Sequence, residues 1–117
     1  MTDTRAVDLD RLPETVTAYL AAHNAHDTTT AASFFTTDAT VVDDGRTHEG
    51  TEAIIRWAEE TGNAFTYTAA PVRAETVGAD RYTVVQHLEG DFPGGQIDLC
   101  HHFTLREGRI AELVIEP

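Results

Sequence analysis

Leu9, Leu12, Val16, Tyr19, Leu20 and His23 recur at intervals of three and four. That spacing predicts an amphipathic helix that buries the stripe, with Pro13 tolerated in its first turn. Tyr19 and His23 lie one turn apart on the buried face. The residues up to Val7 are polar and are expected to fray. Asp27 is placed to cap a second short helix, in which Ala31, Phe34 and Phe35 form an apolar stripe. From Ala39 the period changes to two. Thr40, Val42 and Asp44 fall on one strand face, and Ala39, Val41 and Asp43 on the other. Gly45 turns the chain, and Gly50 and Thr51 open a third helix with Thr51 as its N-cap. Ile54, Trp57 and Ala58 give that helix an apolar side, and Gly62 is its natural stop.

The second half alternates as strands. Phe65 to Ala69 is the first, and Pro71 then demands an edge or a bulge. Val72 to Val77 runs into a Gly78–Ala79–Asp80 turn. Arg81 to Glu89 puts Tyr82, Val84, Gln86 and Leu88 on one face and Thr83, Val85, His87 and Glu89 on the other. After the Phe92–Pro93–Gly94–Gly95 turn, Gln96 to Leu105 sets Ile97, Leu99, His101, Phe103 and Leu105 opposite Asp98, Cys100, His102 and Thr104. Glu107–Gly108 leads into a last strand, Ile110 to Ile115. Helices followed by an antiparallel meander predict an α+β fold, with the helices covering one face of a curved, mostly antiparallel sheet.

The 117 residues suffice for one domain with a real core. Net charge is −12, from 20 acids against 8 bases. All the bases are arginine, and no basic patch exists, so nucleic acid and anionic membranes are poor partners. Acid excess, absent lysine and abundant Thr and Ala fit a high-GC or salt-loving microbe. The single Cys100 cannot form an internal disulfide. No charged-then-apolar leader opens the sequence and no apolar run approaches a membrane span, so a cytoplasmic protein is expected.

Candidate chemistry starts at Asp43. It ends the inner face of a strand, beside a helix that aims Trp57 back at it. Burial against an aromatic wall raises a carboxyl pKa and makes a useful proton acceptor. The alternative is that Asp43 and Asp44 simply form a solvated turn. Tyr19 can equally be a core tyrosine whose hydroxyl finds a partner, and His23 a satisfied core histidine. His23, His26 and Asp27 have spacing that could hold a metal, but no second ligand cluster accompanies them, and no metal or cofactor is expected. His101 and His102 are adjacent on a strand, point to opposite faces and cannot share one ion. No phosphate loop or CxxC pair is present.

The order of elements, the AYLAAHNAHD helix, the FFTTDATVVDDG strand entry, the HEGTEAIIRW helix and the closing HHFTLREGRIAEL hairpin resemble the nuclear-transport-factor-2-like superfamily. They look closest to its SnoaL-like and ketosteroid-isomerase-like branch, from about Leu12 to Ile115. The resemblance implies a cone: three helices on a strongly bent sheet, with a pocket at the open end. It also implies a homodimer through the outer sheet face. Members include isomerases, dehydratases, epoxide hydrolases, polyketide cyclases and non-catalytic binding domains. By resemblance, Asp43 matches the isomerase's general base and Tyr19 its oxyanion-hole tyrosine. His101 falls where the isomerase carries a protonated aspartic acid as second donor. A histidine there can donate but can also titrate near neutrality. With Gln86 and His23 also inward, the pocket should be more polar than a steroid site. No inward Asp–Arg–Asp set supports epoxide hydrolysis, since Arg46, Arg56 and Arg81 sit at turns or polar faces.

Three functions follow. The first is a cofactor-independent isomerase, dehydratase or cyclase with Asp43 as base and Tyr19 and His101 as donors. The second is a binding domain for a small organic molecule, without turnover. The third is a structural dimerisation domain. Tyr19, His23, Asp43, Gln86 and His101 are expected to converge on one cavity lined by Phe35, Val41, Trp57, Leu88, Leu99 and Phe103. His87, Cys100 and His102 are expected on the outer face, at the dimer contact.

Overall fold

The structure, a computed structural model, describes residues 4–64 and 66–117, apart from the side chains of residues 62–64. The chain begins with a strand, β1 (Thr4–Val7), where fraying was expected. Its four residues, Thr-Arg-Ala-Val, are too short a run to show a period, but they pair antiparallel with the far segment Ala74–Val77. A single turn of 3-10 helix follows at Leu9–Arg11. The first α-helix, α1, spans only Glu14–Asn24, with Pro13 at its N-cap. The apolar stripe is therefore split. Proline disfavours the helical conformation in the residue before it, and Leu12 is extended at φ −63° and ψ 150°.

The C-terminus of α1 closes in a Schellman arrangement. Asp27 N–H donates to the Ala22 carbonyl at 2.9 Å and His26 N–H to that of His23 at 3.0 Å. His26 takes the left-handed conformation, φ 60°. Asp27 then caps α2 (Thr28–Ser33), its carboxylate accepting from Thr30 N–H at 3.3 Å. Phe34 ends that helix and Phe35 already opens a strand, β2 (Phe35–Asp43).

A hairpin not foreseen from the sequence comes next. Asp44 and Gly45, both left-handed at φ 54° and 74°, join β2 to β3 (Arg46–Glu49). Asp-Gly in a two-residue loop favours this turn because its twist matches the strands. Helix α3 spans Thr51–Ala64, passing through Gly62. The Gly50 carbonyl accepts from Ile54 N–H at 3.0 Å, so Thr51 is the first helical residue and not the cap.

Strands β4 (Tyr67–Val77), β5 (Arg81–Gly90), β6 (Gln96–Arg106) and β7 (Arg109–Glu116) complete a seven-stranded sheet of order β1-β4-β5-β6-β7-β2-β3. Phe65, expected to start β4, lies outside the described residues. Among the described residues, β2–β7 is the one parallel pair. The register shifts at Pro71/Arg73, Thr104/Leu105 and Phe35/Thr40. Such bulges bend and twist strands, which curls an open sheet. Pro71 lies at one of these shifts, on a stretch of β4 that has no partner on its β1 side, the edge-and-bulge setting in which a strand tolerates proline.

Three α-helices pack on the concave face of this curled, unclosed sheet. Val16, Tyr19 and Leu20 of α1 and Ile54, Trp57 and Ala58 of α3 meet Val41, Val84, Phe103, Ile110 and Leu113 of the strands. Full burial of an aliphatic side chain contributes about 1.5–3 kcal/mol, so this core holds the narrow end of the cone. The wide end is left open.

Candidate functional site

A cavity of about 620 Å³ occupies the wide end. Helix α1 supplies His23 and Asn24 from its last turn, and α3 supplies Trp57, Glu60 and Thr61. The sheet supplies Asp43, Tyr67, Gln86, Leu88, Leu99 and His101, among others. Asp44 and Arg46 of the hairpin stand at the rim, both exposed.

Asp43 closes the inner face of β2. The Trp57 indole N–H donates to its Oδ2 at 2.9 Å. No other hydrogen bond to the Asp43 carboxylate is formed among the described residues, so Oδ1 has no partner among them. Strand alternation stops one residue later. Asp44 enters the left-handed turn, so it borders the cavity instead of leaving on the opposite face. Arg46, expected at a turn away from the site, also borders it, because it pairs across the hairpin with Asp43.

Behind Trp57 the aromatic rings form a stack. His23 lies parallel to Trp57 at 5.5 Å and 12°, and Tyr19 lies on the other side of His23 at 5.6 Å and 24°. Burial, with some repulsion from His26, pushes the His23 pKa down to about 4, so the ring in the stack is neutral at pH 7. Tyr19 lies one turn deeper than His23 and meets Phe35 and Phe103 edge-on at 5.2 and 5.8 Å. It is 1% exposed, and its hydroxyl has no partner among the described residues. Burial, then the charges of Tyr67 and Asp43, raise its pKa far above the ordinary phenol range.

Of the residues expected to converge, the structure brings His23, Asp43, Gln86 and His101 to the cavity, with Trp57, Leu88 and Leu99 on its walls. It does not bring Tyr19, Phe35, Val41 and Phe103, which stand behind the wall in the core. The helical stripe is continuous, but its N-terminal turns pack into the narrow end and only its last turn reaches the opening.

The floor carries a polar chain. Asn24 Nδ2 donates to Gln86 Oε1 at 3.0 Å and lies 3.5 Å from the Ala69 carbonyl. Gln86 Nε2 is 3.4 Å from His101 Nε2. Asn24 Oδ1 and His101 Nδ1 are buried without a hydrogen bond among the described residues. Burial pushes the His101 pKa down to about 4. His23 and His102 push the same way, and the Leu99 backbone opposes them. Tyr67, the half-buried first residue of β4, has its phenol pKa raised by burial and by the Asp43 charge. Asn24 and Tyr67 were not singled out from the sequence. The visible signal was their position: Asn24 follows His23 at the end of the buried stripe, and Tyr67 is inward on a strand.

Among the described residues no group of three His, Cys, Asp or Glu side chains is arranged to hold a metal. His23 and His26 diverge, one stacked on Trp57 and the other against Tyr67 at 5.9 Å. No described helix is long and apolar enough to cross a membrane.

The backbone is shared with several solved structures. A Sinorhizobium meliloti protein described as a candidate polyketide cyclase is 36% identical, with TM-score 0.86 over 94% of this chain and 100% of that one. A Catenulispora acidiphila protein with a ketosteroid isomerase-like fold, in complex with trimethylamine, is 24% identical, with TM-score 0.79 over 90% and 85%. TerC, co-crystallised with polyporic acid, is 20% identical, with TM-score 0.75 over 88% of each chain. No curated protein matches the sequence. The family model of the SnoaL-like domain matches residues 16–113, the whole span from the first buried turn of α1 to the closing strand, and the chain belongs to that family.

Proposed function

We propose that the cavity binds a small organic molecule and that Asp43 removes a proton from it, in an isomerase-, dehydratase- or cyclase-type reaction without a cofactor. The observation that carries this reading is the Asp43 carboxylate on the cavity wall. One oxygen is fixed by the Trp57 indole and the other is free for a substrate C–H or O–H. A positioned base contributes about 10²–10⁴-fold. The 36% identical Sinorhizobium meliloti protein supports cyclase-type chemistry, because closing a carbon ring by aldol addition starts with proton loss next to a carbonyl.

The donor to the developing oxyanion is then Tyr67 rather than Tyr19. Tyr67 lines the cavity with a phenol that stays protonated and senses the Asp43 charge, whereas the Tyr19 hydroxyl is sealed in the core. Non-catalytic binding is the second reading, favoured by the engagement of His101 Nε2 with Gln86, which takes that nitrogen from a ligand. Trp57 is the only tryptophan and lines the cavity, so its fluorescence reports occupancy. Compounds that quench it are to be incubated with wild type and Asp43→Asn. Turnover by wild type and none by the variant supports the enzyme. Equal binding with no turnover by either leaves the binding domain.

A further inference from the structure

We propose that Asn24 is a positioning residue that selects the tautomer of His101, acting through Gln86. The Ala69 carbonyl oxygen can only accept, and it faces the amide of Asn24 at 3.5 Å. Asn24 must therefore turn its nitrogen that way, since the flipped amide would set oxygen against oxygen. The same nitrogen lies 3.0 Å from one end of the Gln86 amide, which must be oxygen. The other end of Gln86 is then nitrogen, and it lies 3.4 Å from His101 Nε2. An amide nitrogen only donates, so His101 Nε2 accepts and the ring proton resides on Nδ1.

Burial makes the choice binding. Gln86 is 1% exposed and His101 3%, on neighbouring strands β5 and β6. A wrong flip would set two like groups against each other out of reach of water, oxygen to oxygen or N–H to N–H. An imidazolium would set N–H against N–H, and burial first of all disfavours a positive charge there. The ring is thus held neutral, with its lone pair committed to Gln86. Neither His101 nor His23 then places a positive charge on the cavity wall at pH 7. This holds whether or not Asp43 turns over a substrate.

Histidine ring nitrogens report their protonation directly in ¹⁵N NMR, through couplings to the ring carbon-bound protons. Wild type at pH 7 should show His101 in the Nδ1–H pattern. In Asn24→Asp the group facing Gln86 becomes an acceptor. Gln86 should flip, turn its oxygen to His101 and switch the ring to the Nε2–H pattern. Gln86→Glu should do the same by placing a carboxylate against Nε2, and should also raise the pH at which His101 titrates. A packing role for Asn24 would lower the melting temperature without moving the tautomer. An Nε2–H pattern in wild type overturns the proposal. So does an unchanged Nδ1–H pattern in folded Asn24→Asp. Should that variant not fold, an unchanged pattern in Gln86→Glu overturns it.

Discussion

Trp57 reaches back across 14 positions of sequence to donate its indole N–H to Asp43 Oδ2 at 2.9 Å. Helix α3 is thereby tied to the end of β2 at the rim of the cavity. The bond fixes which carboxylate oxygen is occupied and which is offered.

That geometry separates stability from chemistry. Asp43→Asn keeps an oxygen for the indole and should change stability by less than about 1 kcal/mol, while removing a base worth roughly 10²–10⁴-fold in turnover. Trp57→Phe should instead cost about 1–3 kcal/mol, because it leaves a part-buried carboxylate without its donor. Urea unfolding of the two variants checks the contrast. Asp44→Asn should have a smaller effect on turnover than Asp43→Asn, because the Asp44 side chain at the rim is exposed. Equal losses would remove Asp43 from its role.

Acid should destabilise the fold through two histidines. Both His23 and His101 have pKa values pushed down from 6.5 to about 4 by burial. Between those limits the unfolded chain binds more protons than the native one. The stability they contribute is complete above the unfolded value, near pH 6.5, and is lost as pH falls toward 4. Each contributes roughly 3 kcal/mol over that window. Urea midpoints at pH 7.5, 6 and 5 should fall steadily. His23→Phe, which keeps a ring between Trp57 and Tyr19, should flatten the slope. A midpoint independent of pH over this range would refute the burial of neutral histidine.

Alternation along strands located Asp43, Gln86 and His101 correctly because a strand has only two faces. The helices gave less. Period 3.6 identified the buried stripe of α1 but not depth along the cone, so Tyr19 and His23 looked equivalent although only His23 reaches the cavity. Strand β1 was invisible because its four residues owe their structure to Ala74–Val77, far away in sequence. The β2–β3 hairpin was signalled by Asp44–Gly45, yet the helix start at Gly50 drew the reading past it. Asn24 carried no signal of its own, because a single asparagine at a helix end is ordinary capping chemistry until Gln86 and Ala69 are seen beside it.

Tyr19 and Tyr67 should behave oppositely. Removing an unpartnered buried hydroxyl relieves an uncompensated desolvation of about 1–3 kcal/mol, so Tyr19→Phe should be neutral or stabilising and leave ligand binding unchanged. Tyr67→Phe should leave stability near wild type but lower turnover by about 10²–10³-fold if the phenol meets the oxyanion. Thermal melts and turnover on a common substrate decide it. A large activity loss in Tyr19→Phe alone would return the donor role to Tyr19.

The outer sheet face should pair with its own copy. His87 Nδ1 lies 2.6 Å from Asp98 and its Nε2 3.2 Å from Glu89. His102 bonds Thr83 at 2.9 Å and Glu116 at 3.1 Å, with Cys100 between the two clusters on the same strand face. Arg73 and Glu75 of β4 share this face by register with Val85 and Thr83. A two-fold axis would set each cluster against a like one, so its charge governs association. The bonds to Asp98 and then Glu89 raise the His87 pKa, holding the ring protonated beyond its ordinary range and offsetting one carboxylate. Once pH rises past that raised value, the proton leaves, the two acids face their copies uncompensated, and the dimer should weaken. Light scattering at micromolar concentration should give twice the chain mass near pH 6 and a lower value near pH 9, and His87→Asp should bring the lower value at pH 6. A monomer at pH 6 would eliminate this face as the contact. A dimer unmoved by both pH and His87→Asp would place the contact elsewhere on the chain.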